Sequence, residues 1–295
     1  MRSLLKQIKP DIVHTRFLYP HSVHAMLSGY RPHLAEAVGC DLLVMPGEKW
    51  IWNTLIKKSL KSADHVLTVA PHMSTKCIEY GIPPSRIQTI CEGIDTQAFR
   101  PGVKNGLREN LGWEDNKIIT STRMFNPVYN NILLVKAIPK ILESMPEARF
   151  ILASLGPQRD EIIRECVHLG VGDKIHFPGY IPNQRMPGLL GESDVYVSTS
   201  LSDGASNSLF EAMACGLFPI VTDIPANQTW IRDGENGFLV PTDNPKALAD
   251  AVLKALSDES LRNTAAGLNQ KTVNQHASLE KNTQKLIRVY QKIVD

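Results

Sequence analysis

Short apolar runs alternate with amphipathic segments over most of residues 105–295. Apolar residues three and four positions apart predict helices, and short runs rich in Val, Ile and Phe predict strands. Strands that alternate with helices in this way form a parallel sheet with helices on both faces. The pattern predicts strands at 117–122, 149–154, 174–180, 194–200 and 218–223, and helices at 130–145, 159–170, 186–193, 206–216, 245–256 and 277–294.

The first 100 residues show the same alternation less regularly. A Pro- and Gly-rich stretch at 95–106 indicates a boundary between two domains. The sequence therefore predicts an α/β protein with two doubly wound parallel sheets. In this first part it predicts strands at 10–15, 64–69 and 86–91, and helices near 22–30, 53–62 and 72–80.

The composition indicates the class of protein but no particular binding partner. The 295 residues are 43% hydrophobic and 21% charged, as in soluble globular proteins, and the net charge of +2 indicates no nucleic-acid partner. The five cysteines are far apart and form no CxxC pair, which predicts buried free thiols in a reducing compartment. No apolar run approaches the ~20 residues that span a bilayer, and no signal-peptide core is present. We expect a cytoplasmic protein.

The candidate chemistry lies in the stretch SDGASNSLFEAMACGLFPIVTDI. A helix predicted to begin near Ser206–Ser208 has unpaired amides and the positive end of its dipole at its start. Gly204 and the small residues around it let an anion approach these amides. Asp203 and, eight positions later, Glu211 can accept hydroxyl donors. A nucleotide-sugar has phosphates and sugar hydroxyls in the required order. The ordinary alternatives are that Asp203 is only a turn residue and that Glu211 only favours the first turns of a helix.

This frame resembles the retaining glycosyltransferases of family 4, whose signature E-x7-E sits in a similar pattern. The chain reads DGASNSLFEAMACGLFPIVTDIPANQTWIRDGENGFLVP there, and TSTRMF and KIHFPGYIPNQRMPGLLGESDVYVSTS also match. The resemblance extends over nearly the whole chain. It implies a GT-B fold with two Rossmann-type sheets. The acceptor-side domain would be 1–100, the nucleotide-sugar domain 101–275, and a C-terminal helix at 276–295 would return toward the first domain.

The resemblance also implies roles for individual residues. Glu211 would hold the nucleotide ribose, and Asp203, one methylene shorter than the usual Glu, would contact the donor sugar. The amides of Asn207 and Ser208 would face the diphosphate, and Arg123 would neutralise it as it leaves.

Two further positions and two absences complete the expected site. Tyr180 and Ile181 match the loop that flanks the base. The lysine usual five residues after the arginine is replaced by Val128. Asp-x-Asp, the carboxylate pair that other glycosyltransferases use for a divalent ion, does not occur. We therefore expect a UDP- or GDP-sugar donor, no metal and no other cofactor.

The N-terminal domain departs from the family. PDIVHT resembles a middle strand but begins at residue 10, so the first sheet is expected to be incomplete, and Val38 replaces a His often found in the catalytic site. Three explanations stay open. They are that the sequence is a fragment or mis-started copy, that a partner chain completes the domain, or that the chain binds nucleotide-sugars without efficient transfer.

The segment EKWIWNTLIKKSLKS at 48–62 places lysines beside Trp and Ile. A basic amphipathic helix of this type can lie on an anionic membrane surface, although the alternative is that it covers its own domain. The leading hypothesis is a metal-independent retaining glycosyltransferase that moves a hexose to a glycan or lipid-linked acceptor, peripheral to the inner membrane face. The alternatives are a non-catalytic nucleotide-sugar-binding module and, more weakly, another GT-B chemistry such as epimerisation or phosphorolysis.

Overall fold

The computed structural model describes residues 1–295, with ten strands that pair only in parallel. The strands are β1 Val13–Arg16, β2 His33–Ala37, β3 His65–Thr68, β4 Ile87–Thr89, β5 Lys117–Ser121, β6 Ala148–Leu152, β7 Ile175–His176, β8 Val195–Ser198, β9 Phe218–Thr222 and β10 Phe238–Val240.

Fifteen α-helices connect and cover the strands. They are α1 Arg2–Ile8, α2 Val23–Ser28, α3 Cys40–Leu43, α4 Met45–Glu48, α5 Trp50–Ser62, α6 Pro71–Glu79, α7 Leu107–Leu111, α8 Asn131–Ser144, α9 Arg159–His168, α10 Met186–Gly191, α11 Asn207–Ala214, α12 Pro225–Gln228, α13 Pro245–Ser257, α14 Glu259–His276 and α15 Leu279–Val294. None of these helices is both long and apolar enough to cross a bilayer.

The chain folds into two compact units. The first comprises Met1–Glu92, Ser202–Ala205 and Leu279–Asp295, and the second comprises Gly93–Leu201 and Ser206–Ser278. Each unit has its own parallel sheet, so the predicted fold class, α/β with two parallel sheets, is confirmed.

The sheet of the first unit has four strands in the order β1-β2-β3-β4. One face packs on α5 and α6, where Ile56, Leu60 and Met73 lie against Ala35 and Val66. The other face carries a smaller cluster in which Leu34 and Leu67 contact Val289 of α15. Helices therefore cover both faces, as in a doubly wound sheet.

The sheet of the second unit has six strands in the order β10-β9-β8-β5-β6-β7. Its strands are almost wholly buried because helices pack on both faces, and α8 and α13 supply most of one covering layer. β5, the first strand of this unit, lies between β6 and β8. The order of strands reverses there, and such a reversal opens a crevice at the carboxyl ends of the strands.

Several elements differ from the sequence prediction, and for three of them the reason is identifiable. β2 was not predicted because its five buried residues, HLAEA, include a histidine and a glutamate. β7 is two residues long instead of seven, since Pro178 and Gly179 follow after the single residue Phe177. α14 was not predicted because its exposed surface is polar, and only Ala265, Asn269 and Val273 are buried.

Candidate active site

The residues predicted to bind phosphate lie on both sides of the strand-order reversal in the second unit. Arg123 follows the last residue of β5, Ser121, by two positions. α11 begins at Asn207, nine positions after Ser198, the last residue of β8, and residues 202–205 between them belong to the other unit. Because both segments leave the carboxyl ends of neighbouring parallel strands, Arg123 and the start of α11 are brought together.

The start of α11 is fixed by a serine cap and an apolar face. Ser206 has an extended backbone, and its Oγ accepts a hydrogen bond from the amide of Leu209 at 3.3 Å, as an N-cap residue does. Leu209, Phe210 and Met213 are fully buried and hold the helix against the unit. The amides of Asn207 and Ser208 lie in the first turn, where an α-helix offers no internal acceptor.

The guanidinium of Arg123 is buried at this helix start. Its side chain is 8% exposed, and Nη1 donates to Ser206 Oγ and to Ser208 Oγ at 2.8 Å each. The ring of Tyr129 lies over the guanidinium, with 4.0 Å between Cζ and the ring centroid. A cation is thus held in one orientation beside the amides of α11.

The two serine hydroxyls are oriented by the donors around them. Ser208 Oγ accepts from Arg123 Nη1 and from the phenol of the fully buried Tyr196 at 2.9 Å, and Ser206 Oγ accepts from Arg123 and Leu209. The two hydroxyl oxygens also lie 3.1 Å apart, within hydrogen-bond distance of each other, so one hydroxyl donates to the other. Buried donors thus surround both hydroxyls, which makes the helix start rich in donors and suited to an anion.

Glu211 lies one turn further along α11 and is half-buried. Burial raises the pKa of its carboxyl to about 7, and the charge of Arg123 opposes part of that rise. The carboxylate therefore lacks the solvation that it would have in water. A ligand that brings hydroxyl donors to Glu211 would stabilise its ionised form.

Asp203 and Gly204 belong to the first unit, whereas the other predicted phosphate-site residues belong to the second. The carbonyl oxygen of Asp203 accepts from His72 Nε2 at 3.1 Å, so that ring nitrogen carries the proton. A Cβ at Gly204 would overlap the carbonyl oxygen of Val38. A glycine is thus required at 204 by close backbone packing, in addition to any access that it gives to a ligand.

Tyr180 and Ile181 lie in the second unit, in the irregular segment after β7. The side chain of Tyr180 is 71% exposed, and Ile181 is half-buried. The exposed ring leaves an aromatic face accessible to a planar ligand.

Two residues of this site were not predicted from the sequence. Tyr129 stands in a short loop where nothing in the pattern indicates contact with Arg123. Tyr196 lies within an apolar strand and is indistinguishable there from a core residue. The one signal available for Tyr196 was its hydroxyl, because the hydroxyl of a tyrosine in a wholly buried strand needs a polar partner.

Family models match both parts of the chain. Residues 103–272 match the model of the glycosyl transferases group 1, and residues 1–98 match that of glycosyltransferase family 4. The fold is also shared with Anabaena Alr3699/HepE, solved with UDP, at a TM-score of 0.87 and 18% identity over 99% of this chain and 82% of that one.

Two curated relatives are similar over most of this chain. The N-acetyl-alpha-D-glucosaminyl L-malate synthase of Bacillus anthracis is 26% identical over 96% of this chain and 75% of its own length. The UDP-Gal:alpha-D-GlcNAc-diphosphoundecaprenol alpha-1,3-galactosyltransferase of Escherichia coli is 25% identical over 92% and 73%. With more than half of its residues matched by one family model, the chain belongs to the glycosyl transferases group 1 and is a glycosyltransferase of the GT-B fold.

Proposed function

We propose that the chain transfers a hexosyl group from a UDP- or GDP-sugar to a glycan or lipid-linked acceptor, with retention of the anomeric configuration and without a metal. The observation that carries this proposal is the buried guanidinium of Arg123, fixed by two serine hydroxyls at the start of α11. Such a cluster of oriented donors suits the diphosphate of a nucleotide-sugar.

The chemistry requires negative charge to be stabilised on the departing diphosphate. Glycosyl transfer passes through an oxocarbenium-like state, and charge develops on the leaving group. Arg123 and the amides of Asn207 and Ser208 would meet that charge in place of a divalent ion. Preorganised donors of this type contribute roughly 3–4 kcal/mol each.

The remaining site residues would bind the rest of the donor. Glu211 would accept the ribose hydroxyls, Asp203 the hydroxyls of the transferred sugar, and Tyr180 with Ile181 would flank the base. The acceptor would attack from the face that the leaving group vacates, which gives retention. Relatives support both candidate bases, because one is named for UDP-Gal and another, from Mycolicibacterium smegmatis, for GDP-mannose.

A donor panel tests this function. We expect one UDP- or GDP-sugar to be consumed with release of the nucleotide diphosphate, to give a product with the anomeric configuration of the donor by NMR. EDTA should leave the rate unchanged, because the charge is met by the protein. Product of inverted configuration, or activity that EDTA removes and Mg²⁺ restores, would contradict the proposal.

A nucleotide-sugar-binding module without transfer is the second candidate. It is favoured by Val38, which stands where the family often has a catalytic-site histidine, and it could act with a partner chain that completes the first unit. The same panel separates the two functions. Saturable binding of a donor without transfer or hydrolysis, in the presence of extracts that supply acceptors, would favour the module.

A lipid-linked acceptor would place the enzyme at a membrane, and we propose that the outer side of α5 binds an anionic lipid surface. The inner side of this helix packs in its own unit through Ile56 and Leu60. The outer side exposes Trp50 and Ile51 near its start and two lysines, Lys58 and Lys61, near its end. Apolar anchors beside basic residues are the composition of helices that lie in a membrane interface.

Vesicle flotation tests this surface. Each lysine near an anionic membrane contributes about 1 kcal/mol, so K58Q/K61Q should weaken binding to phosphatidylglycerol vesicles by roughly 30-fold. The control is K136Q/K271Q, which removes two exposed lysines from the second unit. Equal losses in both double variants, or no salt-sensitive binding by the unmodified chain, would rule the surface out.

A further inference from the structure

Tyr129 lies against the cation of the proposed diphosphate site but belongs to none of the sequence motifs. Its ring centroid is 4.0 Å from Cζ of Arg123, which is a cation–π contact. An arginine side chain has several rotatable bonds and loses much conformational freedom when it is held in place. A group that already restrains it in the free protein reduces the cost of binding an anion.

The guanidinium is restrained from two directions. Ser206 Oγ and Ser208 Oγ accept from Nη1 and fix its position along the helix start. The central carbon of the guanidinium lies over the ring of Tyr129, which blocks movement of the group to that side. Together these contacts restrain the cation from two sides, and neither contact alone does so.

The backbone that carries Tyr129 is anchored independently of its ring. Thr199 Oγ1 contacts the carbonyl oxygens of Tyr129 and Asn130 at 3.0 and 2.9 Å, and the amide of Leu201 donates to the carbonyl oxygen of Val128 at 2.8 Å. The side chain of Asn130 also donates to the carbonyl oxygen of Thr242 at 3.0 Å. The loop would therefore keep its course if the ring were removed.

We propose that Tyr129 is a positioning residue, which holds the guanidinium of Arg123 in the plane that binds the donor's diphosphate. This inference rests on the proposed function. It also accounts for how the site works where Val128 replaces the lysine expected from the family, since a single oriented cation must then serve the leaving group. The ring acts on phosphate only through Arg123, so its removal should have no effect on ligands that lack phosphate.

A comparison of nucleoside and nucleoside diphosphate binding tests the proposal. By calorimetry, Tyr129→Leu should weaken binding of UDP or GDP about 3- to 30-fold, the range expected for a desolvated cation–π contact. Binding of uridine or guanosine should stay within about twofold, and Tyr129→Phe, which keeps the aromatic face, should bind the diphosphate within about twofold of the unmodified protein.

A double-mutant cycle separates positioning from general loss of structure. In the Arg123→Met background, Tyr129→Leu should cause no further loss of diphosphate affinity, because the two residues act as one unit. The same loss in both backgrounds, or an equal loss of nucleoside binding, would overturn the proposal and leave the proposed function standing. Failure of the unmodified chain to bind either diphosphate would refute both.

Discussion

Glu211→Gln is expected to make the unliganded protein more stable and its donor binding weaker. The pKa of Glu211 is raised to about 7 by burial, from an ordinary value of 4.5. The folded state thus binds the carboxyl proton of Glu211 more tightly than the unfolded state does. The stabilisation that this proton gives is complete below the ordinary pKa and is lost as pH rises through about 7. A neutral glutamine avoids that loss, which amounts to about 3 kcal/mol at pH 8.

Thermal unfolding across pH measures the stability effect. The melting temperature of Glu211→Gln should exceed that of the unmodified protein by several degrees at pH 8, and the difference should narrow toward pH 5. Glu143→Gln changes an exposed glutamate on α8 and serves as the control. If both variants change the melting temperature equally at pH 8, the buried carboxylate of Glu211 does not destabilise the free protein.

Donor affinity should show the opposite effect of the same substitution. Ribose hydroxyls favour the ionised carboxylate, so the affinity of the unmodified protein should rise between pH 5 and 7 and then level off. Loss of a charged hydrogen-bond acceptor costs about 1.5–3 kcal/mol, which is roughly 10- to 100-fold in affinity. Glu211→Gln should bind the donor more weakly at pH 8 and should lose the pH dependence of affinity, because a glutamine side chain does not titrate.

Arg123→Met is expected to have the largest effect on turnover. The guanidinium is buried and oriented at the helix start, where the leaving diphosphate gains charge. Removing one preorganised donor of this kind costs about 10²–10³-fold in kcat. Methionine keeps most of the apolar stem, so the effect on folding should be smaller than the effect on the rate.

The matched control for this variant is Arg164→Met, which removes an exposed arginine from α9 in the same unit. Steady-state release of the nucleotide diphosphate measures both variants. A loss of kcat below tenfold for Arg123→Met, with the protein folded by circular dichroism, would exclude Arg123 from leaving-group stabilisation.

Much of the second unit could be predicted because its strands are short apolar runs bounded by turn residues. The helix start at Ser206 was predictable for a local reason, as serine caps a helix that begins with buried Leu209 and Phe210. The first unit was harder, because β2 carries Glu36 and His33 in a buried strand, where only partners distant in sequence make those side chains acceptable.

The arrangement around Arg123 could be predicted only in part. The position of Arg123 just after β5 indicates that it lies at the carboxyl end of the sheet. Its hydrogen-bond partners Ser206 and Ser208, however, are 83 and 85 residues away in the sequence. Tyr129 contacts it across a loop whose course is set by Thr199 and Thr242, neither of which a local pattern connects to it. Contacts of this kind depend on the packing of several strands, which periodicity does not encode.

The central claim is that a nucleoside diphosphate binds at the start of α11, and a crystal structure of the protein with UDP or GDP tests it most directly. The account predicts phosphate oxygens within hydrogen-bond distance of Arg123 and the amides of Asn207 and Ser208, with the ribose hydroxyls on the carboxylate of Glu211. Nucleotide bound elsewhere, or a ribose that makes no contact with Glu211, would contradict the account.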